Sequence, residues 1–331
     1  MTNIHTYSNA GVDINLESKG VSALVSMLKY RRSGSFAMCG GVGHFAGLID
    51  FGEYALALAV DGVGTKMLVA DILQKWSTIG IDCIAMNVND LYVMNIEPVA
   101  FVDYIATDGI SINKMKEVGV GLNEGARLSN INIIGGETAT LSGLVNGLDL
   151  AGTCLGIQRK ENIITGETIR SGDLIFGVPS SGIHSNGLTL ARKIVEEYTN
   201  YDEKMPWGLT IGEELLIPTR IYSEVLNVTG SSEVHGMCHI TGGGLLNLKR
   251  LGNHGFNITD PLKPQPVFEW IAEAGQVTEE EMYRTFNMGM GYVFIAPESS
   301  KGNIQKFAPD ARVIGEISGK TGVSLDGIVI A

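Results

Sequence analysis

Residues 54–66 read YALALAVDGVGTK: an apolar run over 54–60 gives way at once to Asp61-Gly62-Val63-Gly64-Thr65-Lys66. A short apolar run closed by glycine is a strand signal, and the acid, hydroxyl and lysine behind it place polar chemistry at a strand end. The pattern repeats outward from there. Residues 99–107 (VAFVDYIAT) form a second strand candidate after Pro98. Ile112, Met115, Val118, Leu122 and Ala126 then recur every three or four positions, as one face of an amphipathic helix does. Residues 131–134 make a third strand that ends in Gly135-Gly136-Glu137-Thr138, and 148–158 a fourth. Strands alternating with helices predict an α/β or α+β class.

The charged, glycine-bearing stretch 159–173 reads as a joint, so two domains are expected, 1–160 and 170–331. Beyond it the spacing predicts a strand over 174–178, a loop over 180–187 and a helix over 188–198. A second helix is expected over 217–228 with Pro218 in its first turn, where a missing N–H costs little. Another follows over 245–251, and strands over 291–296, 312–317 and 327–330.

The chain has 331 residues, 44% hydrophobic and 18% charged, and so can bury a core without a disulfide or metal staple. Its net charge of −12 argues against nucleic acid or an anionic membrane as a partner. Glycine is high, 43 residues with no collagen period, which points to tight turns and close backbone approach to a ligand. Cys39, Cys83, Cys154 and Cys238 lie far apart with no CxxC, as in a reduced cytosolic protein. The start, MTNIHTYSNAGVD, has no basic-then-apolar signal, and the uncharged stretches 33–49 and 174–191 are broken by Gly, Ser and His. A soluble, cytoplasmic protein is expected.

Asp61, Asp90 and Glu137 each sit among small neighbours (DGVGTK, NVNDL, GGET) and are expected in loops near strand ends, converging on one rim. Mg²⁺ takes one or two carboxylates plus phosphate oxygens and water, and glycine lets backbone N–H groups reach phosphate. Gly62, Gly64, Thr65 and Lys66 are the expected phosphate contacts beside those acids. The loop His184-Ser185-Asn186-Gly187 opens a helix, whose N-terminus favours an anion. His184 is expected there as an exposed imidazole able to move protons near neutral pH. The run from His239 to Gly244 (HITGGG) offers a second glycine nest, with Thr241 and Gly242 at its rim. Other signals fail. The glycines Gly41, Gly43 and Gly47 follow no strong strand, residues 315–321 (GEISGKT) are one residue short of a P-loop and are expected to form a hairpin turn, and His235/His239 lack a third zinc ligand.

Taken together, these segments resemble the phosphoribosylformylglycinamidine cyclo-ligase (AIR synthetase) family. The resemblance runs in order through YSNAGVD at 7–13, the 40–47 loop, DGVGTK at 61–66, TIGIDCIAMNVNDL at 78–91, EPVAFVDYIAT at 97–107 and GGETA at 135–139. It continues through SSGIHSNG at 180–187, PTRIY at 218–222, HITGGG at 239–244 and MYRTFNMGMG at 282–291. His44 stands where the family's loop would have glycine, and the region 200–217 is shorter than usual.

The resemblance implies a two-domain subunit whose N-terminal sheets pair across a homodimer, with ATP and Mg²⁺ bound and a K⁺ requirement left open. By motif, Asp61, Asp90 and Glu137 would serve the metal and Lys66 the phosphates. Gly41, Gly43, Gly135, Gly136, Glu137 and Thr138 would line the nucleotide pocket, partly from the neighbouring subunit. His184, Ser185, Asn186, Gly187, His239, Thr241 and Gly242 would face formylglycinamidine ribonucleotide. The implied reaction phosphorylates the formamide oxygen so that it can leave when the amidine closes the ring, work done mainly by positioning and charge neutralisation. Selenophosphate synthesis would want a reactive Cys with a nearby Lys, whereas Cys39 is followed by GGVGHF. A nucleotide-binding regulator without turnover is the alternative from another class.

Overall fold

The strand read from 54–60 forms as β3 of a six-stranded sheet whose register decides where the acids stand. The computed structural model describes residues 5–41 and 43–330; residues 1–4 of the N-terminal reading, Val42 of the glycine loop and Ala331 lie outside the described residues. The first sheet holds β1 (Met38–Cys39), β2 (Gly47–Phe51), β3 (Tyr54–Gly62), β4 (Glu97–Thr107), β5 (Asn132–Thr140) and β6 (Leu148–Arg159), in the order β1-β2-β3-β6-β4-β5. Only β4 and β5 pair in parallel; helical crossovers serve such pairs, and here the connection contains α4.

The helices of this half follow from their sequences in different ways. The first, α1 (Ile14–Met27), starts at Asp13, whose side chain accepts from the Asn15 and Leu16 N–H groups. The second, α2 (Lys66–Leu73), begins directly after DGVGT. The third, α3 (Ile79–Tyr92), has twelve of its fourteen residues buried, so it has no amphipathic stripe to reveal it. It packs on the sheet face where Ala55, Ala57 and Ala59 of β3 keep the surface low. The predicted helix over 112–126 forms as α4 (Ile112–Ser129) with Ser111 as its N-cap and Asn130 in the left-handed conformation at its end. Gly80 and Gly121 meet where α3 crosses α4, and a Cβ on Gly80 would stand 2.0 Å from the Leu122 nitrogen.

The second sheet has seven strands: β7 (Leu174–Pro179), β8 (Gly236–His239), β9 (Gly255–Ile258), β10 (Met290–Ala296), β11 (Arg312–Ser318), β12 (Gly322–Leu325) and β13 (Ile328–Val329). Their order is β13-β12-β9-β11-β7-β10-β8, and β10 is buried throughout. Helix α5 (Leu188–Tyr198) forms over the predicted residues, and the 245–251 helix forms as a 3₁₀ segment, Gly244–Leu251. The mixed α+β class read from the sequence is the one observed.

Three expectations change. The strand expected to stop before GGET continues to Thr140, so Gly135, Gly136, Glu137 and Thr138 sit within β5, the exposed edge strand. Residues 315–321 do not close a hairpin, because β9 lies between β11 and β12. No helix spans 217–228; α6 (Ile211–Leu215) and α7 (Val225–Thr229) flank an irregular segment. Its backbone bonds go instead to buried side chains of the first half. The Thr219 and Tyr222 N–H groups donate to Asp82 Oδ1 (2.7 Å) and Asn89 Oδ1 (3.1 Å), and the Ile217 and Arg220 carbonyls accept from Lys66 Nζ (2.6 Å) and Asn89 Nδ2 (2.8 Å). Tertiary partners here replace the helical ladder.

Candidate active site

A cleft of about 850 Å³ opens where the end of β3 faces the loop ahead of α5 and the glycine turn after β8. Asp61 stands at its floor, held by Asn87 of α3. The Asp61 N–H donates to Asn87 Oδ1 (3.0 Å), and Asn87 Nδ2 donates to the carbonyls of Asp61 (3.2 Å) and Cys83 (2.8 Å). The chain then turns through Gly62 and Gly64 (φ 68°), and Thr65 Oγ1 lies 3.1 Å from Thr189 Oγ1 on the far wall. Gly62, Gly64 and Thr65 all line the cleft.

Burial first, and then the nearby Asp90 carboxylate, push the Asp61 carboxyl up to about 6. Asp90 itself lies in the last turn of α3, not in a loop, and His239 Nδ1 faces its Oδ1 at 3.4 Å. Asn89 Nδ2 stands 3.3 Å from His239 Nε2; as Asn89 can only donate there, the imidazole proton sits on Nδ1, toward the carboxylate. Two carboxylates this near one another are an oxygen donor set suited to a divalent ion that keeps water and phosphate as its other ligands. The residues present fit Mg²⁺ in that respect.

Glu137 does not join them within one chain. Asp61 pairs with Gly152, Gly152 with Asp103 and Asp103 with Gly136. Three strand spacings, about 14 Å, therefore separate β3 from β5 at this level. Among the described residues no group of three His, Cys, Asp or Glu side chains could hold a metal. Gly43 lines the cleft with His44, whereas Gly41 and residues 135–138 do not.

Lys66 is also placed otherwise than expected. As the first residue of α2 it points into the protein, fully buried, with Nζ on Asp82 Oδ1 (2.9 Å) and the Ile217 carbonyl (2.6 Å). The same Asp82 oxygen accepts from the Thr219 N–H, Thr219 Oγ1 (2.6 Å) and Ser185 Oγ (3.0 Å). Lys66 thus ties the two halves together and leaves the phosphates to other groups.

His184 is not the exposed imidazole expected. It is 1% exposed, with φ at 63°, and the Ser181 N–H donates to its Nε2 (3.2 Å). Nε2 is therefore unprotonated, and burial, with His239 and Lys66 nearby, holds the ring well below the usual range for histidine. A Cβ on Gly291 would overlap the Tyr222 hydroxyl and His184 Cε1, so that glycine makes room for this packing. His184 shapes its loop; Ser185, Asn186 and Gly187 are the loop residues that reach the cleft.

The opposite wall is the turn after β8. Gly243 (φ 95°) and Gly244 (φ 52°) bend it, and a Cβ on Gly244 would overlap the Tyr283 and Phe286 carbonyls. Asn247 Nδ2 clamps the turn by donating to the carbonyls of Thr241 (3.4 Å), Gly242 (3.2 Å) and Gly244 (2.8 Å). Gly242 lines the cleft directly, and Thr241 supports it from behind.

Models of the family "AIR synthase related protein" match the chain over residues 43–158 with their N-terminal domain and over 170–328 with their C-terminal domain. The chain belongs to the AIR synthase related family. It is similar to phosphoribosylformylglycinamidine cyclo-ligase of Methanosarcina barkeri, at 51% identity over 98% of both chains. The enzyme of that name from Methanocaldococcus jannaschii is 46% identical over 97% of this chain and 93% of its own. Among solved structures, thiamine-monophosphate kinase from Stenotrophomonas maltophilia shares the fold at a TM-score of 0.64 and 18% identity, covering 94% of this chain and 96% of that one. HypE of E. coli does so at 0.62 and 19%, covering 82% of each.

In this AIR synthase related chain the site rests on residues that sequence reasoning passed over: Asp82, Asn87 and Asn89 of α3, with Thr219, Asn247 and Arg250. A signal for the first three was present. Polar residues interrupt the otherwise apolar 79–92 stretch, and a polar group in a buried helix must have a partner.

Proposed function

We propose that this chain closes the imidazole ring of aminoimidazole ribonucleotide from formylglycinamidine ribonucleotide, spending ATP and releasing ADP and phosphate. The observation that carries the reading is the 51% identity to a cyclo-ligase over 98% of both chains. The cleft is consistent with it: Asp61 lies at the floor with the Asp90 carboxylate near enough to act on it, and glycine turns on both walls bring backbone close to where phosphate oxygens would sit.

In this reading Asp61 and Asp90 hold Mg²⁺, which when bound supplies positive charge to the triphosphate. Gly62, Gly64 and Thr65 seat the phosphates, and Ser185, Asn186, Gly187 and Gly242 hold the ribonucleotide against them. The γ-phosphoryl group moves to the formamide oxygen, the amidine nitrogen attacks the same carbon, and the oxygen departs as phosphate. Alignment of the three partners carries most of the acceleration. His239 keeps Asp90 oriented from behind.

A homodimer completes the arrangement. Leu58, Val60, Val102, Tyr104 and Ile134 leave one face of the first sheet apolar and open to solvent in the single chain. Such a patch marks an interface, and pairing two such faces would let Gly135, Gly136, Glu137 and Thr138 of one subunit approach the other's nucleotide. Residues 1–160 would then form the nucleotide-binding and dimerising domain and 170–331 its companion. No helix among the described residues is long and apolar enough to cross a membrane, in keeping with a cytoplasmic enzyme.

The test is phosphate release with formylglycinamidine ribonucleotide and Mg-ATP. Turnover dependent on both substrates is expected. ATP binding without ADP formation under those conditions would instead make the chain a regulator.

A further inference from the structure

With Lys66 sequestered, the cleft that should receive phosphorylated ligands has a shortage of positive charge. Of the side chains lining it, Glu17 and Asp61 are acids, and Arg250 is the sole arginine or lysine. His44 does not make up the deficit. Its Nε2 lies 3.2 Å from the Thr165 carbonyl and so carries the proton, and burial holds the ring below its ordinary range, which keeps it neutral.

Arg250 is held but unspent. It sits in the last turn of the 3₁₀ segment that Asn247 anchors, and its guanidinium lies 4.9 Å from the centre of the Phe45 ring. Phe45 is buried and belongs to the 40–47 glycine loop. Stacking on an aromatic face orients the guanidinium plane while leaving its N–H fork free. Among the described residues Arg250 has no ion pair and no side-chain hydrogen bond, although Asp61 is near enough to feel its charge. An oriented, unpaired fork on the wall of a cleft is built for a planar pair of oxygens from outside the chain.

We infer that Arg250 is the cleft's anion-binding side chain, making a two-point contact with a phosphate group of a bound ligand. The inference rests on the proposed reading in requiring a phosphorylated ligand. Two sources carry that chemistry, the nucleotide's polyphosphate and the ribonucleotide's 5′-phosphate.

Arg250→Met tests it, since the residue is exposed and the substitution keeps most of the stem that covers Phe45. Calorimetric binding of Mg-ATP and of formylglycinamidine ribonucleotide, each alone, is compared with KM for each in turnover. A rise of about tenfold or more in Kd and KM for one of the two identifies the phosphate that Arg250 holds, with Arg250→Lys recovering part of the loss as a point charge does. Lys249→Met, an exposed neighbour outside the cleft, serves as the control and should match the wild type. Wild-type turnover with both constants unchanged in Arg250→Met would overturn the assignment of Arg250. A wild-type chain that neither binds nor turns over either ligand would overturn the catalytic reading, and this inference with it.

Discussion

Lys66 and Asp82 are both fully shielded from solvent, so each depends on the other for charge compensation. Truncating one member of a buried pair typically costs about 3–5 kcal/mol because the remaining charge is stranded. Lys66→Met should therefore lower stability by that order in urea unfolding, and adding Asp82→Asn should recover part of the loss. If Lys66 instead met phosphate in the cleft, the single variant would keep its stability and lose only ATP affinity. Asp61 makes the opposite case. Its carboxyl titrates near 6 in the folded chain against about 3.9 when unfolded. A raised carboxyl favours folding below the unfolded value and loses that contribution as pH climbs through about 6. At pH 7–8 the ionised Asp61 is thus a burden on the ligand-free protein. Asp61→Asn should raise its melting temperature there, by about 1–2 °C for each kcal/mol relieved, with little change at pH 4. The same variant should lose the thermal shift that Mg²⁺ and ATP give the wild type. Single residues were only partly legible in the sequence. The DGVGTK run located Asp61, but nothing local said that the lysine five positions on would turn inward, because its partner lies 16 residues away on another helix.

Helices and strands show the same division between local and distant causes. Helix α4 was readable because one face meets the core, whereas α3 is enclosed on all sides and so has no period to detect. The GGET stretch reads as a turn on composition but is an edge strand, paired with β4 from Asn132 to Thr140. Pro218 suggests a helix start, yet the following backbone groups are taken by Asp82 and Asn89. Where α3 crosses α4 the backbones nearly touch, and even a methyl group at position 80 has no room. Gly80→Ala should cost about 1–3 kcal/mol, the usual range for overpacking, read as a lower urea midpoint with an unchanged slope. An unaltered midpoint would mean that the crossing has room for a methyl group after all.

At the scale of the whole molecule, the open apolar face of the first sheet should decide the assembly. Val60 is 74% exposed at its centre, and a charge placed there would be buried in any face-to-face pairing. Val60→Lys should convert a dimer to monomers at micromolar concentration in sedimentation, and a wild-type chain that sediments as a monomer would remove the dimer from the reading. The two-sheet plan was legible because strand and helix signals alternate on both sides of the 159–173 joint. The contact between the halves was not, since it is written in scattered polar residues with no sequence neighbours in common. That contact also bears on inheritance. One carboxylate oxygen of Asp82 collects Lys66 from its own half and Ser185 and Thr219 from the other. A chimera that joined the front of one homologue to the back of another would keep this contact only if the two pieces brought the matching acid and hydroxyls.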